Sequence, residues 1–102
     1  MIRVCLVDDQ TLVRQGIRSL LALDDGIEVV AEAGDGRQAV EMIPQVRPDV
    51  VLMDIRMPSV GGIEATRALL AEHPDTRVIM LTTFDDQELV LDALDAGIDF
   101  GI

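Results

Sequence analysis

The sequence has no lysine, no tryptophan and no tyrosine, and it has a single cysteine among its 102 residues. One cysteine, Cys5, excludes an internal disulfide, and its place in an apolar run predicts a buried side chain that fills the core. Without lysine, only eight arginines stand against 19 acidic residues, and the formal net charge is −11. This charge opposes binding to a phosphate backbone, so direct nucleic-acid binding by this chain is excluded.

Long apolar runs are also missing, which excludes a membrane-spanning helix. The first residues, Met1 to Val4, lack the layout of a signal peptide, and we therefore predict a cytoplasmic location. Hydrophobic residues make up 49% of the chain and charged residues 26%, as in globular domains. A chain of this length has room for one domain, which we place at residues 1–102.

Short apolar runs alternate with stretches of helical period, and repeats and linkers are absent. This alternation predicts an α/β fold in which crossover helices cover a parallel sheet. Several of the runs are almost continuous Val, Ile, Leu and Met, as expected for strands covered on both faces. The predicted strands are Ile2 to Val7, Ile27 to Ala31, Val50 to Met53, Val78 to Leu81 and a short one near Asp99 to Ile102.

Four helices are predicted between these strands. The first is indicated by one apolar stripe and ends at residues 24–26, and the second begins at Asp35-Gly36, with Pro44 expected to kink or shorten it. The third covers residues 62–72 and ends at His73-Pro74, and the fourth covers residues 85–97, closed by Gly97. The inward residues are predicted to be Leu12, Val13, Ile17, Leu20 and Leu21 in the first helix and Ala39, Val40 and Ile43 in the second.

Three of the apolar strands run directly into polar residues. Asp8-Asp9 follow the first strand, Asp54 the third, and Thr82-Thr83 the fourth. In an open parallel sheet, ligands bind outside the carboxyl ends of the strands where the strand order reverses. For the order 2-1-3-4-5 that place lies between strands one and three, so the three aspartates are expected to converge there, flanked by Thr82.

Three converging carboxylates repel one another, and a hard cation with oxygen ligands relieves the repulsion. Mg²⁺ takes one or two carboxylates and adds phosphate oxygens, so the cluster is typical of a phosphoryl-handling site. Asp54 is then placed to act as the nucleophile, and the Thr82 hydroxyl to hydrogen-bond the attached group. Taken alone, Asp8-Asp9 fit a strand end that caps the following helix better than a site; only the combination favours a site.

These residues resemble a known family. Val7-Asp8-Asp9, the segment from Val50 to Pro58 around Asp54, and Met80 to Thr83 are similar to the response-regulator receiver domain of two-component systems, over essentially the entire chain. The stretches DDQTLVRQGIRSLL (residues 8–21), DIRMPSVGGIEATR (54–67) and LTTFD (81–85) are similar, more narrowly, to LuxR-type or NarL-like transcription regulators.

The resemblance implies a flavodoxin-like, doubly wound sheet of order 2-1-3-4-5 and phosphoryl transfer from a histidine kinase, without other enzymatic activity. It also implies that a DNA-binding output domain, absent from this chain, carries the transcriptional response. The site residues implied are Asp54 as phosphoacceptor; Asp8, Asp9, Asp54 and the Arg56 backbone carbonyl around Mg²⁺; Thr82 and Thr83 as phosphate-sensing hydroxyls; and Phe100 as the switch aromatic.

The sequence also departs from the family. The lysine that the family places at the end of strand five is absent, and Phe100 precedes Gly101 where the family has glycine before the aromatic. The fifth helix is missing as well, so we expect a C-terminally incomplete domain with exposed apolar surface that forms a homodimer or self-associates.

Several features of the sequence bear on alternative functions. The missing lysine and displaced aromatic favour, as an alternative, a receiver-like interaction or dimerisation module that does not depend on phosphate. An aspartate-nucleophile phosphatase needs two aspartates separated by one residue, whereas Asp8 and Asp9 are adjacent. A flavin-binding protein needs a hydroxyl- and glycine-rich loop after the first strand, which residues 9–13 do not supply.

Overall fold

The computed structural model describes residues 1–54, 61–80 and 95–100. Its five strands form one parallel sheet in the order β2-β1-β3-β4-β5, which confirms the predicted doubly wound α/β fold. The strands are β1 Ile2–Val7, β2 Ile27–Ala33, β3 Val50–Met53, β4 Arg77–Met80 and β5 Ile98–Phe100. The helices among the described residues are α1 Thr11–Leu21, α2 Gly36–Val46 and α3 Gly62–Glu72.

The core lies around the middle strands of the sheet. Val7, Val51, Met53 and Val78 are almost completely buried, as expected when helices cover both faces of a parallel sheet. Cys5 is also fully buried, as predicted, and burial together with the nearby charge of Glu32 raises the pKa of its thiol to about 11. The protonated thiol behaves here as a small hydrophobic side chain.

The predicted ends of three strands were wrong by one or two residues. β2 continues to Ala33 because it pairs with β1 along its length, up to the pair Val7–Ala33, and the charged Glu32 inside it binds two arginines of α1. β4 begins at Arg77, which pairs with Val50. β5 begins at Ile98, and its predicted last residues, 101–102, lie outside the described part.

Helix α1 presents a different face to the sheet from the one predicted. Ile17 and Leu21 are half-buried, but Leu12 and Leu20 are 81% and 69% exposed. The half-buried positions 14, 17 and 21 follow the spacing of a single helical face, and Arg14 occupies one of them. Because the prediction counted only apolar residues as inward, it missed Arg14 and included exposed leucines on the neighbouring face.

Helix α2 begins as predicted, since the Asp35 side chain accepts a hydrogen bond from the Gln38 N–H at 2.8 Å. Ala39 and Ile43 are buried against the sheet. The helix does not end at Pro44, however, but continues to Val46. Proline removes one backbone donor, yet the helix continues past it and ends with the bond from the Arg47 N–H to the Ile43 carbonyl at 2.8 Å.

Helix α3 has the predicted bounds, and His73 is its terminal residue, as predicted, with its N–H donating to the Leu69 carbonyl. Of the predicted fourth helix, residues 85–94 lie outside the described part, and Gly97 at its end has a φ of +98°. Any other residue would be strained at this φ, and its Cβ would also lie 2.7 Å from Leu70 Cδ1. No helix in the described ranges is long and apolar enough to cross a membrane.

Candidate functional site

The three predicted aspartates lie together at the carboxyl end of the sheet. Val7 and Met53 are paired at the ends of the neighbouring strands β1 and β3, so the residues that follow them leave the sheet side by side. Asp8, Asp9 and Asp54 each offer a carboxylate oxygen, and these oxygens all lie within 4.8 Å of one another. The structure therefore brings together the residues that the strand ends predicted.

Asp8 is held by three elements of the fold. Its N–H donates to the Ala33 carbonyl of β2 at 3.1 Å, its carbonyl accepts a hydrogen bond from Arg14 of α1, and its Oδ1 accepts one from the Gln10 N–H at 2.8 Å. The side chain is only 6% exposed. The Asp8 backbone is held on one side by Ala33 and on the other by Arg14, and this pre-organises the carboxylate before any ligand arrives.

The bond to Gln10 also tests the interpretation of Asp8-Asp9 as a helix cap. The residue that precedes the first turn of α1 is Gln10, and it makes no side-chain capping bond. Asp8 instead closes a turn over residues 8–10 through the bond from the Gln10 N–H to its side chain. The acidic pair therefore ends β1 and turns the chain, without acting as the N-cap of α1.

The other two aspartates differ in their access to solvent. Asp54 is half-buried, and its N–H donates to the Val7 carbonyl at 2.9 Å, which extends the pairing of β1 and β3 by one residue. Asp9 is exposed. The cluster thus runs from a buried carboxylate to an exposed one, so a ligand from solvent has access to it.

An arginine–glutamate network beside the cluster was not predicted. Arg14 Nε lies 3.3 Å from Glu32 Oε1, and Arg18 also pairs with Glu32. Arg14 in addition donates from Nη1 to the Asp8 carbonyl. The signal available in the sequence was one acidic residue late in an apolar strand and two arginines one turn apart in α1, which is too common a pattern to locate a site.

The donor set fits a hard divalent cation. Carboxylate oxygens are the ligands that Mg²⁺ and Ca²⁺ prefer, and Mg²⁺ in particular is bound by one or two carboxylates with water and phosphate oxygens completing its coordination. Asp8, Asp9 and Asp54 are the described residues that would hold it. Like charges this close repel one another, and a cation removes that cost.

Some predicted site residues lie outside the described part. Arg56, Thr82 and Thr83 fall in residues 55–60 and 81–94, so their predicted roles remain predictions. Phe100 is the last residue of β5, where its backbone pairs with Met80, but its side chain is outside the description. Its predicted role as switch aromatic is likewise untested.

The family is decided by the sequence comparison. Residues 4–102 match the family described as the response regulator receiver domain. The chain belongs to the response regulator receiver domain family. It is thus the receiver domain of a two-component response regulator, and its relatives include transcriptional regulators; receiver domains are generally not classical enzymes.

Two similar proteins indicate which receiver domains this one resembles most narrowly. The transcriptional regulatory protein DegU of Brevibacillus brevis is 44% identical over 96 residues, which are 94% of this chain and 41% of DegU. A LuxR-family two-component response regulator from Aurantimonas sp. SI85-9A1 has a TM-score of 0.91 at 37% identity, over 98% of this chain and 71% of that one. These confirm the resemblance to LuxR-type regulators.

A further similar structure was solved with ligands. The CheX-CheY-BeF3-Mg²⁺ complex from Borrelia burgdorferi has a TM-score of 0.87 at 27% identity, over 99% of this chain and 77% of that one. The chain spans less than half the length of DegU, so the comparison with DegU concerns the receiver part alone.

Proposed function

We propose that this receiver domain accepts a phosphoryl group on Asp54, with Mg²⁺ held beside it. The observation that carries the proposal is the cluster of Asp8, Asp9 and Asp54, with oxygens within 4.8 Å at the carboxyl ends of two adjacent parallel strands. That edge of an open α/β sheet is where such folds bind ligands. The structural relative solved with BeF3 and Mg²⁺ supports the same chemistry.

The transfer is a substitution at phosphorus. A carboxylate oxygen of Asp54 attacks the phosphoryl group of a phosphohistidine in a sensor kinase, the P–N bond breaks, and the imidazole leaves with the electron pair and takes up a proton. The product is an acyl phosphate on Asp54. We propose no other catalysis than this transfer and the later loss of the phosphoryl group.

The chain's own groups prepare that step. The backbone bond from the Asp54 N–H to Val7 fixes the nucleophile beside Asp8, and Asp8, Asp9, Asp54 and the Arg56 carbonyl would hold Mg²⁺. The metal ion, when bound, offsets negative charge on the phosphoryl oxygens. Thr82 and Thr83 would donate hydroxyl hydrogen bonds to the attached group. Phe100, on the outer strand, would act as the switch aromatic and change its rotamer in response.

The partners follow from the family. We propose a sensor histidine kinase as phosphodonor and control of a DNA-binding output domain in the full-length protein, because relatives such as DegU are transcriptional regulatory proteins of more than twice this length. The net charge of −11 argues that DNA is bound only through such an output domain.

The direct test uses a small acyl phosphate with Mg²⁺ and the intact mass of the chain. We expect the mass of one phosphoryl group to be added, no addition with Asp54→Asn, and full addition with the matched control Asp49→Asn at the opposite end of the sheet. No addition to the unmodified chain would favour the alternative, an interaction module that does not depend on phosphate.

We also propose that two copies of the chain associate through α1. Leu12, Leu20 and Leu23 are 81%, 69% and 83% exposed on or just after this helix, so association of two copies there would remove apolar surface from water. Light scattering after size exclusion should give a dimer mass, and Leu20→Glu should raise its dissociation constant about tenfold or more. Arg37→Glu on α2 is the control. A monomer at the highest concentration would contradict the proposal.

A further inference from the structure

Arg14 connects the acidic cluster to the rest of the fold through two different contacts. One nitrogen of its guanidinium donates to the backbone carbonyl of Asp8, and another lies 3.3 Å from Glu32 Oε1. Its side chain is 18% exposed although α1 is a surface helix. A guanidinium is a planar fork of donors, so it holds two acceptors in a fixed relative position.

Glu32 holds that fork in place. It lies in β2, one residue before Ala33, whose carbonyl accepts from the Asp8 N–H. Glu32 is 24% exposed, and it pairs with Arg18 as well as Arg14. Arg14 therefore ties the turn that carries Asp8 to a rigid strand, and the Asp8 peptide groups are fixed on both sides, by Ala33 and by Arg14.

The carboxylate of Asp8 is fixed through this backbone. Oδ1 is engaged by the Gln10 N–H at 2.8 Å, and the Asp8 side chain is short, so the position of its oxygens follows the position of its backbone. Loss of the Arg14 contact would free the carbonyl of Asp8 and allow the turn formed by residues 8–10 to rotate. Groups that orient the ligands of a metal are typically worth 10- to 100-fold in metal affinity.

We propose that Arg14 is a positioning residue for the Mg²⁺ site: it acts through the Asp8 carbonyl and sets the geometry of the acidic cluster. The inference rests on the proposed function, since it concerns the same site. It assigns Arg14 no contact with the phosphoryl group.

Arg18 provides a matched control. It lies one turn further along α1, pairs with the same Glu32, and makes no contact with Asp8 among the described residues. It is 58% exposed. Substitution of either arginine removes one link between α1 and β2, but only substitution of Arg14 removes a link to the cluster.

The test measures Mg²⁺ dissociation constants by titration calorimetry, and thermal unfolding without metal, for Arg14→Ala, Arg14→Lys and Arg18→Ala. We expect Arg14→Ala to weaken Mg²⁺ binding about tenfold or more and Arg18→Ala to change it less than about twofold. Arg14→Lys cannot bridge both acceptors, so we expect some loss of Mg²⁺ affinity. Because it keeps the positive charge, we expect this loss to be smaller than with alanine. The lysine variant also serves if the alanine variant fails to fold.

Two results would overturn the inference while leaving the proposed function intact. One is wild-type affinity in both Arg14 variants, with only the unfolding temperature lowered, which would make Arg14 a purely structural link. The other is an equal loss of Mg²⁺ affinity in Arg14→Ala and Arg18→Ala. That result would assign the effect to the pairing with Glu32 or to a displacement of α1, and not to the contact with Asp8. Failure of the unmodified chain to bind Mg²⁺ would instead overturn the proposed metal site and the inference together.

Discussion

The two ends of the parallel sheet use acidic residues in opposite ways. At the amino end, Asp49 bonds to backbone groups: its N–H donates to the Arg3 carbonyl at 2.8 Å, its Oδ2 accepts from the Arg3 N–H at 2.8 Å, and its carbonyl accepts from the Arg77 N–H at 3.1 Å. At the carboxyl end, Asp8, Asp9 and Asp54 bring their carboxylates within 4.8 Å of one another.

The difference separates a structural acid from a functional cluster. Asp49 joins the first residues of β1, β3 and β4, so its bonds contribute to folding. The cluster instead concentrates like charge, which costs folding free energy at these distances. Groups held at such a cost are characteristic of binding and catalytic sites, and strand pairing would not require all three carboxylates.

A cavity at the amino end of the sheet differs from the cluster in its charges. It has a volume of about 700 Å³ and is lined by residues that include Arg47, Asp49 and His73, and Arg3 Nη1 donates to the Arg47 carbonyl. Charged groups of both signs line this cavity, whereas the cluster brings together carboxylates alone.

The largest expected contrast between the two ends is in stabilisation by Mg²⁺. At about 100 times its dissociation constant a ligand adds about 2.7 kcal/mol to the unfolding free energy. Asp8→Asn keeps an oxygen for the Gln10 N–H but removes a charge from the cluster, so most of this gain should disappear. Asp49→Asn should keep it, as measured by circular dichroism melts with and without MgCl₂. Equal shifts in both variants would erase the contrast.

The second contrast is in stability without metal. Asp49→Ala removes the bond from the Arg3 N–H to Oδ2, and we expect a loss of about 1 kcal/mol in urea unfolding. The Mg²⁺-dependent shift should be unchanged in this variant. If Asp49→Ala kept full stability but lost the Mg²⁺-dependent stabilisation, Asp49 would belong to the metal site and its assignment as a structural acid would be wrong.

A smaller effect of opposite sign is expected in the cluster itself. Asp9→Asn relieves repulsion at an exposed position, so without metal it should raise the unfolding free energy by up to about 1 kcal/mol at low salt. The gain should fade as salt is added. Asp25→Asn, an exposed acid in the turn after α1, is the control, and an equal gain there would show that only the overall net charge matters.

The last contrast is one of pH dependence and concerns Cys5, in the strand between the two ends. Its pKa is raised from 9.0 to about 11 by burial and by Glu32. The folded state therefore favours the protonated thiol, and this contribution to stability is complete below pH 9 and is lost as the pH rises toward 11. Cys5→Ala should lower stability at pH 7 but flatten its fall between pH 9 and 11. An unchanged slope would contradict the assigned cause.

Much of the fold and of the candidate site was predictable because both depend on local patterns. β1, β3 and α3 have the predicted bounds, since continuous apolar runs and a clear helix end mark them. The meeting of Asp8, Asp9 and Asp54 followed from strand order alone. Arg56, Thr82 and Thr83 stay predictions, because they lie outside the described residues.

What the sequence did not reveal depends on tertiary contacts. Arg14 is on the inward face of α1 because Glu32 and the Asp8 carbonyl satisfy it there, and Glu32 lies 18 residues away on another element. The same pairing allows β2 to continue through Glu32 to Ala33. Pro44 lies inside α2, where it removes one backbone donor, and the helix still ends with a bond from the Arg47 N–H to the Ile43 carbonyl.

The most direct test of the account is to locate the phosphoryl group. After reaction with a small acyl phosphate and Mg²⁺, reduction with borohydride marks an acyl phosphate permanently, and peptide mass spectrometry identifies the residue. We expect a single modified residue, Asp54. Modification at Asp8 or Asp9, or phosphorylation that persists in Asp54→Asn, would contradict the proposed phosphoacceptor.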